Sequence, residues 1–253
     1  MGLGGTGPGP SRQEVKTMLL AAMVLVFGLD HETEEALKAF AKDYSAPAAV
    51  VRAAAVTELS KLRNATTRAK LGGLLVVDEE SVRIAAAEGL GGFTEEKEKV
   101  ASFLISAVAP NAKLFRAEAA VLLALGKLGD ESALPSVHQS FESRDPKDTD
   151  FTVAKAALKA AGMLRSRDSI DPLIDLGKRC EKILKGGGAK NSGKGGAAGL
   201  GVAGGTPDPQ TLRAKALVPA ILKSLQSISK EKWVSLVEWE IWWERHKATW
   251  KPE

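Results

Sequence analysis

A short apolar–Arg–small motif recurs down this chain, and a repeat constrains a fold more tightly than any bulk property. Val51-Arg52-Ala53-Ala54-Ala55-Val56-Thr57-Glu58-Leu59 returns as Val82-Arg83-Ile84-Ala85-Ala86-Ala87-Glu88-Gly89-Leu90, and again as Phe115-Arg116 with Ala119 and Leu123. Looser copies begin at Val153, with Ala157 and Ala161, and at Leu212-Arg213, with Ala216 and Ala220. Spacing of four places the small and apolar positions on one face of a helix. The copies start 31, 33, 38 and 59 residues apart. The unit is therefore a helix pair of roughly 33 residues, lengthened twice by insertions. A pair that cannot bury its apolar face alone must stack on its neighbours. The expected fold class is all-α, an α-solenoid of about five helix pairs.

Composition agrees with close helix stacking. Aromatic residues make up 5% of the 253 residues, and Ala and Leu fill the periodic segments. The balance of 35 basic against 31 acidic residues gives +4. That excess is too mild and too scattered to require nucleic acid, whose binders concentrate charge on one face. Cys180 is the sole cysteine, which excludes internal disulfides and CxxC zinc, redox or haem motifs. It reads as a small buried hydrophobe between Leu176 and Ile183. His31, His138 and His246 are each more than 100 residues apart, so no metal site is expected from sequence.

Four regions follow along the chain. Residues 1–30 hold a Gly/Pro-rich start and then Met18 to Leu29, an uncharged run behind Arg12 and Lys16. Its length suits a secretory h-region or anchor better than a span, although the small-residue cleavage site at Val26-x-Gly28 is poor. Export to the periplasm or outside the cell is the expectation. The alternatives are an apolar capping helix or a start codon placed too early, in a cytoplasmic protein. Residues 31–184 carry the helical repeats. Helices are predicted over about 33–44, to about 63, 66–77, 79–93, 95–108, 112–128, from near Leu134, 151–164 and from near Pro172. Residues 185–209 contain ten of the 25 glycines and read as a flexible insert splitting the fifth pair. Lengthening a loop fivefold costs only about 1.4 kcal/mol of closure entropy, so the pair still forms. Residues 210–253 supply its partner helix to about Ile228 and a last helix from Lys230.

The motif resembles HEAT repeats, in particular the short bacterial variety named after the phycobilisome-lyase HEAT-like repeat. Its second helix typically reads apolar-Arg-x-x-Ala-x-x-x-Leu before a Gly-Asp turn. Arg52/Ala55, Arg83/Ala86, Arg116/Ala119 with Gly129-Asp130, and Arg213/Ala216 fit. The copy at Val153 departs, with Ala154 in place of Arg. The resemblance covers roughly residues 33 to 228. The tail Trp239-Glu240-Ile241-Trp242-Trp243-Glu244-Arg245-His246-Lys247 is similar to the ending of many bacterial, exported HEAT-repeat proteins. Such arrays mostly serve as binding scaffolds, so the resemblance implies a protein or peptide partner.

Two glycine motifs are accidents of low complexity. Gly199-Leu200-Gly201-Val202-Ala203-Gly204 matches GxGxxG, but no strand feeds it and no helix opens on it. Gly188 to Lys194 matches G-x-x-x-x-G-K, yet Gly195 stands where a phosphate loop needs Ser or Thr. Arg52, Arg83, Arg116 and Arg213 are the candidate partner-binding residues, since stacking would align them along one rim. A cation early in a helix opposes the macrodipole, however, which equally predicts a carboxylate or carbonyl partner in the neighbouring repeat. All five tryptophans fall in the last 21 residues. Trp239, Trp242, Trp243 and His246 share one helical face, predicting a C-terminal cap over the apolar end, with partner docking as the other reading.

No nucleophile lies near a base, and no cofactor or metal is expected. The sequence thus points to a non-catalytic protein- or peptide-binding scaffold. The alternatives are a helical-repeat enzyme or accessory, of bilin-lyase or DNA-repair type, or a nucleic-acid binder. Beyond the N-terminal apolar run, nothing is long enough to span a bilayer.

Overall fold

The computed structural model describes residues 31–143, 145, 147–186 and 208–251. The apolar run Met18 to Leu29 and both glycine motifs lie outside the described residues. Within them stand eleven α-helices: α1 (His31–Tyr44), α2 (Ala49–Leu59), α3 (Ala65–Leu74), α4 (Glu80–Leu90), α5 (Lys97–Val108), α6 (Phe115–Leu128), α7 (Leu134–Phe141), α8 (Thr152–Leu164), α9 (Ile170–Gly186), α10 (Pro209–Ser229) and α11 (Leu236–His246). The helices pair as α1/α2, α3/α4, α5/α6, α7/α8 and α9/α10, five stacked hairpins as the repeat predicts. The second helices α2, α4, α6, α8 and α10 form a continuous row, each packed on the next.

Small residues set how closely that row packs. A Cβ added at Gly91 would sit 2.9 Å from the Ala124 Cα, and one at Gly126 would sit 2.7 Å from the Ala160 Cα. The sequence thus places a missing side chain against an alanine where two second helices cross, and the axes approach closely. Leucines fill the space between rows: Leu71, Leu90, Leu104, Leu122, Leu158 and Leu217 are fully buried.

Turn chemistry fixes where helices begin. The Asn64 side chain accepts from the Thr67 amide at 2.9 Å, and Asp130 accepts from the Ser132 amide at 2.9 Å. Each pairs a backbone donor that helix geometry leaves open. Asp208 accepts from the Gln210 and Thr211 amides at 2.9 and 3.2 Å, so α10 starts crisply after the glycine-rich stretch and pairs with α9.

Several boundaries differ from expectation: α2, α3 and α4 end at Leu59, Leu74 and Leu90, α6 begins at Phe115, and two further shifts have a visible backbone cause. α5 begins at Lys97 because Glu96 takes a left-handed conformation (φ 47°). The last helix begins at Leu236, six residues after the expected Lys230. Lys230 is itself left-handed (φ 65°) and closes α10. A capping box then restarts the chain, with Ser235 accepting from the Glu238 amide and Glu238 accepting from the Ser235 amide.

α11 lies on α9 and covers the end of the stack. Trp239, Trp242 and Trp243 are buried, each contributing about 1.5–3 kcal/mol of apolar burial. The Trp243 Nε1 donates to Asp171 Oδ1 at 2.6 Å, satisfying the one polar atom of that indole. His246 stacks on Trp242 with centroids 5.2 Å apart, completing the predicted face. Trp233 stays outside the cap, partly exposed, while its carbonyl accepts from Trp239 Nε1 at 3.2 Å.

A candidate binding face on the second-helix row

The four candidate arginines have different fates. Arg52 Nη2 and Nε donate to the two oxygens of Asp78 at 2.8 and 3.1 Å. Its Nη1 donates to the Ala46 and Pro47 carbonyls, and Glu79 lies 3.1 Å from Nη2. Asp78 also accepts from the Tyr44 hydroxyl and the Glu79 amide. The Arg52 guanidinium holds the Asp78 carboxyl well below the usual carboxylate range, with help from Tyr44 and against the opposing effect of burial. Burial, and then Asp78, push the Tyr44 hydroxyl up to about 12. This cluster joins the first pair to the second. It is not available to a partner.

Arg83 is also committed internally. Its Nε donates to the Asp78 carbonyl at 2.7 Å and its Nη1 to Asn111 Oδ1 at 3.1 Å. Buried Asn111 donates onward to the Leu75 and Ala107 carbonyls at 3.0 and 2.8 Å. Arg213 is half-buried, donates to the Phe141 carbonyl at 2.9 Å and lies over the Phe151 ring. Three of the four expected partner-binding residues, Arg52, Arg83 and Arg213, thus serve the junctions between repeats. The physical reason is the one the macrodipole gives: a guanidinium at a helix start needs an acceptor, which loops provide for Arg52 and Arg83 and the last carbonyl of α7 provides for Arg213.

Arg116 breaks the pattern. Its side chain is exposed, and its residue contributes only a backbone bond, the amide donating to Glu80 Oε1 at 3.2 Å. Asp148 follows α7 as Asp78 follows α3. Both of its oxygens cap α8, accepting from the Thr152 and Val153 amides at 2.8 and 3.1 Å. Arg116 instead borders a recess of about 280 Å³ between α4, α6 and the start of α8. Ile84, Ala119, Ala120 and Leu123 form its apolar part, with Glu88 and Lys127 among its polar lining.

The same strip continues over α8 and α10. Lys155, Lys159, Lys215 and Lys223 are exposed there, and neither helix contains an acidic residue. Among the described residues, none of these lysines has a carboxylate within ion-pair distance, whereas Lys38, Lys61, Lys99 and Lys178 do. Sequence reasoning found no dense basic face. Stacking sets exposed cations on consecutive helices of the row although they lie up to 107 positions apart, from Arg116 to Lys223. The available signal was the Lys155/Lys159 spacing of four on a helix without Asp or Glu.

Two further features lie at the back of the array. Glu118 on α6 is buried, and burial together with Asp148 and Asp145 pushes its carboxyl up to about 7. A second cavity of about 420 Å³ opens between α9, α10 and the connector before α8, lined by Leu176, Cys180, Ile183 and Phe151 with Asp145 and Arg179 among its polar lining. Cys180 is buried as expected. No cluster of three potential metal ligands occurs among the described residues. No helix among them is long and apolar enough to cross a membrane.

A paired-helix stack with a continuous second-helix row is a helical-repeat scaffold. A family model described as HEAT repeats matches residues 34–124, from α1 into α6. The fourth and fifth pairs extend the same packing beyond the matched residues. No curated protein matches the chain.

Proposed function

We propose that this protein is a non-catalytic scaffold that binds another protein or a peptide along its second-helix row. The observation carrying this reading is the recess of about 280 Å³ beside Arg116, set in a strip of exposed side chains from successive repeats. An apolar hollow with polar edges suits one anchoring side chain of a partner. The strip is drawn from α4, α6, α8 and α10, so it offers an extended, preformed surface with little ordering cost on binding. Its charged groups stand apart on separate helices, an arrangement for contact along a length of chain.

A photo-crosslinking residue tests the location. Placed at Leu123 on the second-helix strip, it should label peptides selected from a display library on the full chain. Placed at Ser102 on α5, it should not. Selected binders that label only the α5 position would contradict the reading. We further propose export from the cytoplasm, supported by the uncharged run Met18 to Leu29 behind Arg12 and Lys16. Mass spectrometry of the mature N-terminus should find the run removed, or retained in a membrane fraction. A full-length N-terminus in the soluble cytoplasmic fraction contradicts export.

A further inference from the structure

Resting on that scaffold reading, we infer that the α6–α8–α10 part of the strip takes an acidic peptide, crossed by one helix after another, with an apolar side chain anchored in the recess. Six exposed cations carry the inference: Arg116 and Lys127 on α6, Lys155 and Lys159 on α8, and Lys215 and Lys223 on α10. The only carboxylate on these three helices is Glu118, which is buried. Some exposed lysines elsewhere do sit beside carboxylates three or four positions away, as Lys38 does with Glu34 and Lys61 with Glu58. The back of the second-helix row therefore holds cations that, among the described residues, no carboxylate meets at ion-pair distance, with Glu88 the one acidic residue in the recess lining.

The spacing suits an extended chain crossing the helices. Neighbouring helix axes lie about 8–10 Å apart, and three residues of extended peptide span about 10 Å. A carboxylate at every third residue would then meet one cation row per helix. On α8 Lys155 and Lys159 are about 6 Å apart along the axis at 1.5 Å per residue, so these two cations can share one carboxylate. The recess fixes register at one end, with Ile84, Ala119 and Leu123 receiving an aliphatic side chain.

The same features disfavour other polyanions. Glu88 lines the recess and would repel a continuous phosphate backbone. Stacking platforms for unpaired bases need exposed aromatic rings. The described exposed aromatic side chains, Phe103 and Trp233, lie on α5 and before α11, off this strip. A vesicle surface would meet scattered lysines with alanines between them and no protruding apolar wedge.

The test uses the full chain and a fluorescein-labelled twelve-residue peptide with Leu first and Glu at every third position. Fluorescence anisotropy at low salt should show saturable binding, weakened roughly tenfold or more between about 50 and 300 mM salt as the screening length shortens. Lys155→Ala/Lys159→Ala/Lys215→Ala should weaken it about tenfold or more, and Lys155→Gln/Lys159→Gln/Lys215→Gln should do the same. Lys38→Ala/Lys61→Ala, which removes ion-paired lysines, should stay within about twofold. Three outcomes overturn the inference: unaltered affinity in both triple variants, tighter binding of a twenty-base-pair DNA than of the peptide, or tighter binding of phosphatidylserine vesicles. If instead a Gln-substituted peptide binds as well and crosslinks at Leu123, the scaffold reading stands and the acidic preference falls. Labelling at neither face would remove the scaffold reading itself.

Discussion

The junction between the first two pairs and the junction between the third and fourth are built from the same row of helices by opposite means. At the front, Arg52 and Asp78 form a double hydrogen bond whose side chains are 14% and 12% exposed. Tyr44, Glu79 and two backbone carbonyls complete it. At the back, the crossing of α6 and α8 rests on Gly126 against Ala160, and Arg116 is left in solvent. Charge is structural where the loop offers an acceptor. It is left in solvent where small residues make the contact and Asp148 is already engaged by α8 amides. One motif position is therefore engaged in one junction and exposed in another, decided by its neighbours and not by its own identity.

The largest effect is expected at the back crossing. Gly126→Leu puts a side chain where even a Cβ would be 2.7 Å from the Ala160 backbone. Overpacking of this kind should cost about 3 kcal/mol or more, read as a fall in the urea midpoint. A loss below about 1 kcal/mol would show that close approach does not hold this junction.

Next comes the front clamp. Asp78→Ala strands the Arg52 guanidinium and the Tyr44 hydroxyl, and should cost about 2–3 kcal/mol. Because the folded Asp78 carboxyl titrates below its ordinary value of 3.8, its contribution is present above that pH. It is lost as pH falls through the folded value. Wild type should therefore lose stability below about pH 4 more steeply than Asp78→Ala, measured by urea unfolding across roughly pH 2.5–6, which brackets the ordinary carboxylate value.

Glu118 sharpens the comparison from the back. Its carboxyl keeps a proton up to about 7 in the folded chain, against an ordinary value of 4.5. The folded state thus binds more protons than the unfolded state between those values, and stability must fall as pH rises through that window. Glu118→Gln should remove the fall and gain on the order of 2 kcal/mol at pH 8 relative to wild type. Parallel pH profiles for the two proteins would refute the assignment. The smallest effect is expected at Gly73 in α3, where an added Cβ meets nothing within 4 Å. Gly73→Ala should stabilise by about 0.5–1 kcal/mol, seen as a small rise in Tm.

Much of the fold was legible because it depends on periodicity. The recurring Arg–Ala motif located all five second helices, including α8, where Ala154 replaces the Arg, and α10, which follows a glycine-rich stretch. Tryptophan spacing located the cap. The boundaries at Glu96 and Lys230 were not legible, since left-handed residues other than glycine leave no simple trace in sequence. The candidate site was legible only in part. Arg116 was named with three arginines that prove structural, because a motif cannot show which loop will reach back to it. The lysines of α8 and α10 escaped notice because 56 positions separate Lys159 from Lys215, and only stacking brings their helices together.

The contrast between fixed and free cations is tested most directly by unfolding two variants in parallel at neutral pH. Urea titration of Asp78→Ala should show a clear loss of stability, while Lys155→Ala/Lys159→Ala/Lys215→Ala should stay within about 0.5 kcal/mol of wild type. If the lysine variant loses as much as the aspartate variant, the back of the row is held by its charges and has none to offer a partner.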